Sequence, residues 1–201
     1  MKKPQTGIQP GRMISFGVRE VNDKDRRVAL SFSSEEGYQR WFGMEILSHD
    51  EDAIDLGRLN DIGVALWNHN RDYVLGRVEN ARLDPNDHKT YADLVFDDDP
   101  EAERIFQKVR SGTLKGVSVG YRVDVWEEVM QGKTSTNGRF TGPAYIATKW
   151  APMEVSIVSV PADAQVGVGR EAETPQFPWN APKRSDLSIF ERQLQINKNH
   201  L

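Results

Sequence analysis

The sequence predicts a mainly β fold with flanking helices, closed or nearly closed as an antiparallel β-barrel. Three observations lead there. Between residues 12 and 168 the chain breaks into short segments in which apolar and polar residues alternate, the period of a half-buried strand. Turn-forming clusters such as "NDKD" and "PNDHK" separate them. A well-marked amphipathic helix interrupts the series. Many short strands with few helices pack most economically as a sheet closed on itself, which leaves no edge exposed.

Residues 1–11, "MKKPQTGIQPG", are rich in Pro, Gly and Lys and read as a loose arm. "RMISFGVREV" and "RRVALSFSS" read as a hairpin around "NDKD". The next stretch, "EGYQRWFGMEILSHDEDAIDLGRLND", is mixed, with a short helix expected in its second half around Ile54 and Leu59. "GVALWNHN" is a strand running into a polar turn, and "YVLGRVENARLD" and "TYADLVFDD" are a further strand pair.

The helix is "DPEAERIFQKVRSG". Asp99 can cap it, Pro100 suits the first helical position, and Glu101 and Glu103 complement the positive end of the helix dipole. Ala102, Ile105, Phe106 and Val109 recur at helical spacing as one apolar stripe, and Gly112 is placed to end it. Two long strands follow, "LKGVSVGYRVDVWEEV" and "YIATKWAPMEVSIVSVPA", around the loop "MQGKTSTNGRFTGP", whose small polar residues suggest mobility. Beyond about residue 170, "EAETPQFPWNAPKR" carries three prolines and reads as an extended linker. "SDLSIFERQLQINKNHL" reads as a short helix with Ser188 and Glu191 spaced as a capping box and a narrow stripe of Leu187, Phe190 and Leu194. The expected organisation is an arm (1–11), a barrel domain (12–168) and a linker with a terminal helix (169–201).

Composition narrows the chemistry. The chain has 201 residues and a formal net charge of −4, so no general basic character argues for nucleic acid. It has no cysteine, which excludes disulfides, thiolate metal sites and a cysteine nucleophile. No apolar run reaches membrane-spanning length, and the start lacks the apolar stretch of a signal peptide. The expectation is a soluble, intracellular protein with no cofactor.

One serine stands out. In "TLKGVSVGYRV" Ser118 lies between Gly116 and Gly120 on a strand, and glycine beside it marks a place that another chain can approach closely. A serine nucleophile needs a base. Of the four histidines, His88 and His200 lie in a turn and a terminal tail, and His49 sits among carboxylates in "LSHDED", where an exposed, acid-paired ring is expected. His69, in "LWNHN", ends an apolar strand; taken alone it is more often a turn or edge histidine than a base. Glu154, in "MEVSIVSVPAD", is a carboxylate in an apolar strand, suited to orient an imidazole or to face outward by simple alternation. Ser156 and Ser159 are rival nucleophiles without the paired glycines.

Taken in order, "LWNHN" with "VLGRV", then "LKGVSVGY", then "MEVSIVSVPAD" resemble the prohead proteases of tailed bacteriophages, the HK97-type head maturation family. The resemblance spans roughly residues 12–168. It implies a serine protease related in fold to the herpesvirus assembly proteases, with His69 as base, Ser118 as nucleophile and Glu154 as orienting acid. It implies the phage major capsid protein and its scaffold segment as substrates, self-processing, and action inside an assembling prohead in the host cytoplasm. Gly116 to Gly120 also spells G-x-S-x-G, but "YRVDVWEEV" continues as strand where an α/β-hydrolase would turn into a helix. Other readings are a catalytically silent structural or scaffold component and an unrelated esterase. A metal hydrolase on His49 and His69 lacks any tight ligand spacing.

Overall fold

A computed structural model describes residues 3–14 and 18–160. Five strands come first: β1 (Gly7–Ile14), β2 (Val18–Asn22), β3 (Arg27–Ser34), β4 (Tyr38–Arg40) and β5 (Gly43–Leu47). A short helix α1 (Gly57–Ile62) leads into β6 (Val64–Trp67), β7 (Asn70–Asp84) and β8 (Lys89–Phe96). Helix α2 (Pro100–Arg110) precedes the long strands β9 (Gly116–Val129) and β10 (Ala144–Val158). Strand β1 thus begins inside the stretch read as an arm. The expected linker and terminal helix, with Arg170, Leu187, Phe190 and Leu194, lie outside the described residues.

The expectation of a closed or nearly closed antiparallel barrel, herpesvirus-protease-like in form, is overturned. The strands form one sheet in the order β1-β9-β10-β6-β7-β8-β3-β2, with β5 branching from β10 and β4 pairing with β5. β1 and β2 are the two ends of this path and do not pair with each other, so the sheet stays open. Nor is it wholly antiparallel, because β10 runs parallel to both β5 and β6. Alternation along a strand says which residues share a face, but not which strand lies alongside. What remains of the expectation is a mixed, mainly β sheet with two short flanking helices.

Strand β10 is the hub. One edge pairs with β9 along nearly its whole length, while the other is shared by β5 at its start and β6 at its end. Helix α2 forms for the local reasons legible in its sequence: Asp99 Oδ1 accepts the backbone N–H groups of Glu101 (2.9 Å) and Ala102 (3.1 Å), and Pro100 opens the first turn. Its Ala102, Ile105, Phe106 and Val109 are buried in the main core with Leu94 and Phe96 of β8. Val117, Val119, Tyr121 and Val123 give β9 a fully buried face in the same core, beside Trp150, Val155 and Ile157 of β10. The loop between β9 and β10 is fastened down. Arg139 donates to Glu35 (2.5 Å) and Asp50 (2.6 Å), and Asn137 donates to Asp50 (2.9 Å).

Among the described residues no helix is long and apolar enough to cross a membrane.

Candidate active site

The site is assembled from the start of β9, the last third of β10 and the turn between β6 and β7. Ser118 on β9 lies directly across from Ser156 on β10, and Gly120 lies across from Glu154. Opposed residues in an antiparallel pair point to the same face, so Ser118, Gly120, Glu154 and Ser156 share the face turned away from the apolar core.

His69 arrives from the neighbouring hairpin. Trp67 pairs with Asn70, leaving Asn68 and His69 as a two-residue turn with φ of 49° and 59°. Left-handed backbone at both central positions is the turn whose twist matches the flanking strands. A residue with a Cβ pays for that conformation, and three contacts to the end of β10 hold it. The Asn68 N–H donates to Ile157 O (3.0 Å), Asn68 Oδ1 accepts from the Ser159 N–H (3.0 Å), and Ser156 Oγ accepts from the His69 N–H (3.1 Å).

The ring of His69 then bridges a serine and a carboxylate. Nδ1 lies 2.6 Å from Glu154 Oε1, and Nε2 lies 2.7 Å from Ser118 Oγ. An ionised carboxylate only accepts, so Nδ1 carries the proton toward Glu154 and Nε2 is left to accept the hydroxyl of Ser118. Both contacts lie within the reach expected of a nucleophile, its base and an orienting acid. The His69 and Glu154 side chains keep 29% and 15% of their exposure, whereas Ser118 has 0%. A cavity of about 370 Å³ opens beside them, lined in part by Leu66, His69, Arg71, Gly120, Met153 and Glu154.

Gly120 has a use that the sequence reading assigned differently. The glycines beside Ser118 were expected to admit a substrate backbone. A Cβ built on Gly120 would lie 2.3 Å from Glu154 Oε1 and 3.1 Å from its carboxyl carbon. The group approaching Gly120 most closely is therefore the chain's own carboxylate, reaching over β9 toward His69. Arg122, two residues on, is engaged with Asp124 (2.8 Å).

On the core side of β9, Tyr121 OH donates to Glu45 Oε1, while Arg40 donates to Glu45 Oε2 (2.9 Å) and to Tyr121 OH (2.9 Å). Burial alone would lower the affinity of the Arg40 guanidinium for its proton, but Tyr121 and Glu45 outweigh it and hold the pKa above its ordinary value. This fully paired cluster ties β4 and β5 to the strand that carries Ser118.

The placement of His49 differs from its expectation. His49 is buried, at 1% exposure, rather than exposed. Its Nδ1 faces Leu47 O (3.0 Å) and its Nε2 faces Ser33 Oγ (2.7 Å). The carboxylate that meets its backbone comes from farther off: Glu35 accepts the His49 N–H (2.6 Å). Ser156, read as a rival nucleophile, donates to Glu154 Oε2 (2.6 Å). Its position two residues from Glu154 on a strand was the available signal. Among the described residues no group of three or more His, Asp or Glu side chains could hold a metal ion.

Comparison with known proteins bears on the same segments. Residues 52–176 match the family described as caudovirus prohead serine protease. The chain is 37% identical over 147 residues to a "Major capsid protein" of Halomonas phage phiHAP-1, covering 72% of this chain and 23% of that protein. It is 24% identical over 108 residues to a "Capsid polyprotein" of Pseudomonas phage PAJU2, covering 51% of this chain and 15% of that one. The chain thus spans less than a quarter of the length of these relatives. No solved structure matches it. The family match covers more than half of the chain, including the β6–β7 turn, β9 and β10, and so the chain belongs to the caudovirus prohead serine protease family.

Proposed function

We propose that this chain is a serine endopeptidase domain that cuts scaffold segments of capsid proteins, and itself, as a phage prohead matures. The observation that carries the reading is the single imidazole bridging Ser118 and Glu154 at 2.7 and 2.6 Å. As Ser118 Oγ attacks a peptide carbonyl carbon, its proton passes to His69 Nε2, and Glu154 stabilises the imidazolium. When the tetrahedral intermediate collapses, the C–N bond breaks, His69 returns the proton to the leaving amine, and an acyl ester remains on Ser118. Water, deprotonated by the same imidazole, then hydrolyses the ester and restores the serine. Protein residues carry each proton in this sequence, so the mechanism calls for no cofactor. The capsid names of the relatives support capsid-related substrates and partners and action inside an assembling shell.

A second reading is a catalytically silent component of the head. Two observations favour it: both relatives bear capsid names, and Ser118 has no exposed surface. Co-expression with the capsid protein of the same phage separates the two readings, with fragments identified by mass. Defined fragments with the wild type and none with Ser118→Ala are expected. Uncut capsid protein with both, or the same fragments with both, would leave the silent reading in place.

A further inference from the structure

Ser156 takes part in more of the site than any residue outside the three that carry the chemistry. It is fully buried, at 0% exposure, and sits on β10 between Ser118 of β9 and Leu66 of β6. Its hydroxyl has one proton to give, and Glu154 Oε2, at 2.6 Å, can only accept it. Its lone pairs face the His69 backbone N–H at 3.1 Å, which can only donate. The directions are therefore determined without choice of rotor. His69 Nδ1 passes 3.4 Å from the same oxygen, the longer and weaker of its two approaches.

These bonds form a circuit. The His69 main chain donates to Ser156, Ser156 donates to Glu154, and Glu154 accepts from the His69 ring. One hydroxyl thus holds both ends of one residue, the backbone in its left-handed turn and the ring through the carboxylate. Without it, Glu154 Oε2 loses a partner and the carboxylate is held less firmly about its last bond. The His69 N–H would lose its acceptor at the same time. A buried polar group stripped of its partner bears the full cost of desolvation, so the turn and the carboxylate would both seek other arrangements.

We propose that Ser156 is a positioning residue, setting the His69 turn and the Glu154 carboxylate in one frame; the inference rests on the nucleophile–base–acid reading above and deepens it. The effect of Ser156 is on how often the imidazole stands with Nδ1 against Glu154 and Nε2 against Ser118.

The test uses diisopropyl fluorophosphate, which needs no knowledge of the natural substrate. Attack forms an Oγ–P bond, the P–F bond breaks, fluoride leaves, and the serine proton passes to His69. Labelling of the full chain is followed by intact mass across a pH series, beside the low-field proton resonance of His69 Nδ1–H. Expected are labelling of the wild type at Ser118 and a loss of about tenfold to a hundredfold in rate for Ser156→Ala. Its Nδ1–H resonance should move upfield and its pH–rate profile should shift. Ser156→Thr, which keeps the hydroxyl, should recover most of the rate and the wild-type resonance. Should the alanine variant melt early, Ser156→Cys fills the site with a poorer donor and should show the same losses. Wild-type rate and an unmoved resonance in folded Ala or Cys variants would overturn the proposal. An unlabelled wild type whose resonance still depends on the Ser156 hydroxyl would instead remove the nucleophile reading and leave the positioning role standing.

Discussion

Among the described residues, two serine–histidine contacts of the same length have opposite characters. Ser118 Oγ and His69 Nε2 are 2.7 Å apart, and so are Ser33 Oγ and His49 Nε2. The difference lies at the other ring nitrogen. His69 presents Nδ1 to a carboxylate, His49 to the carbonyl of Leu47. A carbonyl fixes the tautomer just as well, but it supplies no negative charge to stabilise an imidazolium. The surroundings differ too. His69 stands on a strained turn beside a cavity, while His49 is enclosed, its ring tilted against Trp150 and its serine bonded onward to Thr90. A serine–histidine contact is thus a common way to satisfy two polar groups, and the charge and access behind it separate a candidate engine from a rivet.

The sharpest way to break this comparison is to delete each serine. Ser118→Ala should reduce peptide cleavage by about 10⁶-fold, as loss of the nucleophile does in serine proteases, and abolish labelling by diisopropyl fluorophosphate, while Ser33→Ala should leave both near wild type. Equal losses in both would erase the distinction. Next in size, Glu154→Gln keeps the shape but lets an amide face Nδ1, and a drop of about 10⁴-fold in kcat is expected with little change in melting temperature. Gly120→Ala comes third. Its new methyl would meet the Glu154 carboxylate at the end of a flexible side chain, so the group should swing aside at the expense of about 10²-fold in rate. Unchanged kinetics would mean that the carboxylate position does not matter. For the enclosed pair the readout is stability: His49→Ala or Ser33→Ala should cost about 1–3 kcal/mol in denaturant unfolding, because each strands a buried partner.

The smallest effect concerns the cap of the enclosed region. Burial raises the pKa of Asp50, but bonds from Asn137 and Ser48 and the charge of Arg139 outweigh it, and the carboxyl is held below its ordinary value of 3.8. A depressed value means that the fold favours the charged form. The fastening is complete above the ordinary value and lost as pH falls through the lower, folded one. Hydrogen-exchange protection factors, normalised to the intrinsic rate at each pH, should be equal at pH 6 and 5 in residues 130–143 and fall at more acid pH, with the β9–β10 ladder slower to respond. Uniform protection down to the global unfolding transition would show that the loop does not depend on this carboxylate.

What the sequence disclosed and what it hid divide along the range of the interactions. Helix α2 was legible because its cap, its proline and its stripe all lie within one short segment. Ser118 was marked by its paired glycines, whereas His69 and Glu154 took their roles from the family resemblance of the three segments in order; the fold brings all three together at hydrogen-bond distance. The open edges of the sheet and the parallel seams of β10 with β5 and β6 were not legible, since both depend on partners far apart in the chain. His49 was misjudged because acidic neighbours suggested solvent, whereas Glu35 reaches its backbone and Arg139 neutralises Glu35 from the opposite loop. Ser156 was weighed as a nucleophile by residue type. Its real partners become visible only once β10 lies beside the β6–β7 turn.

The pairing of β10 with β9 skips a residue between Pro152 and Glu154, leaving Met153 extra. Before the skip, even-numbered Trp150 faces the core; after it, odd-numbered Val155 and Ile157 do. The extra residue acts as a frame shift in a message read two letters at a time. In the unshifted frame Glu154 and Ser156 would follow Trp150 into oil. In the shifted frame they surface beside His69, and one surplus methionine changes what every later residue of the strand means.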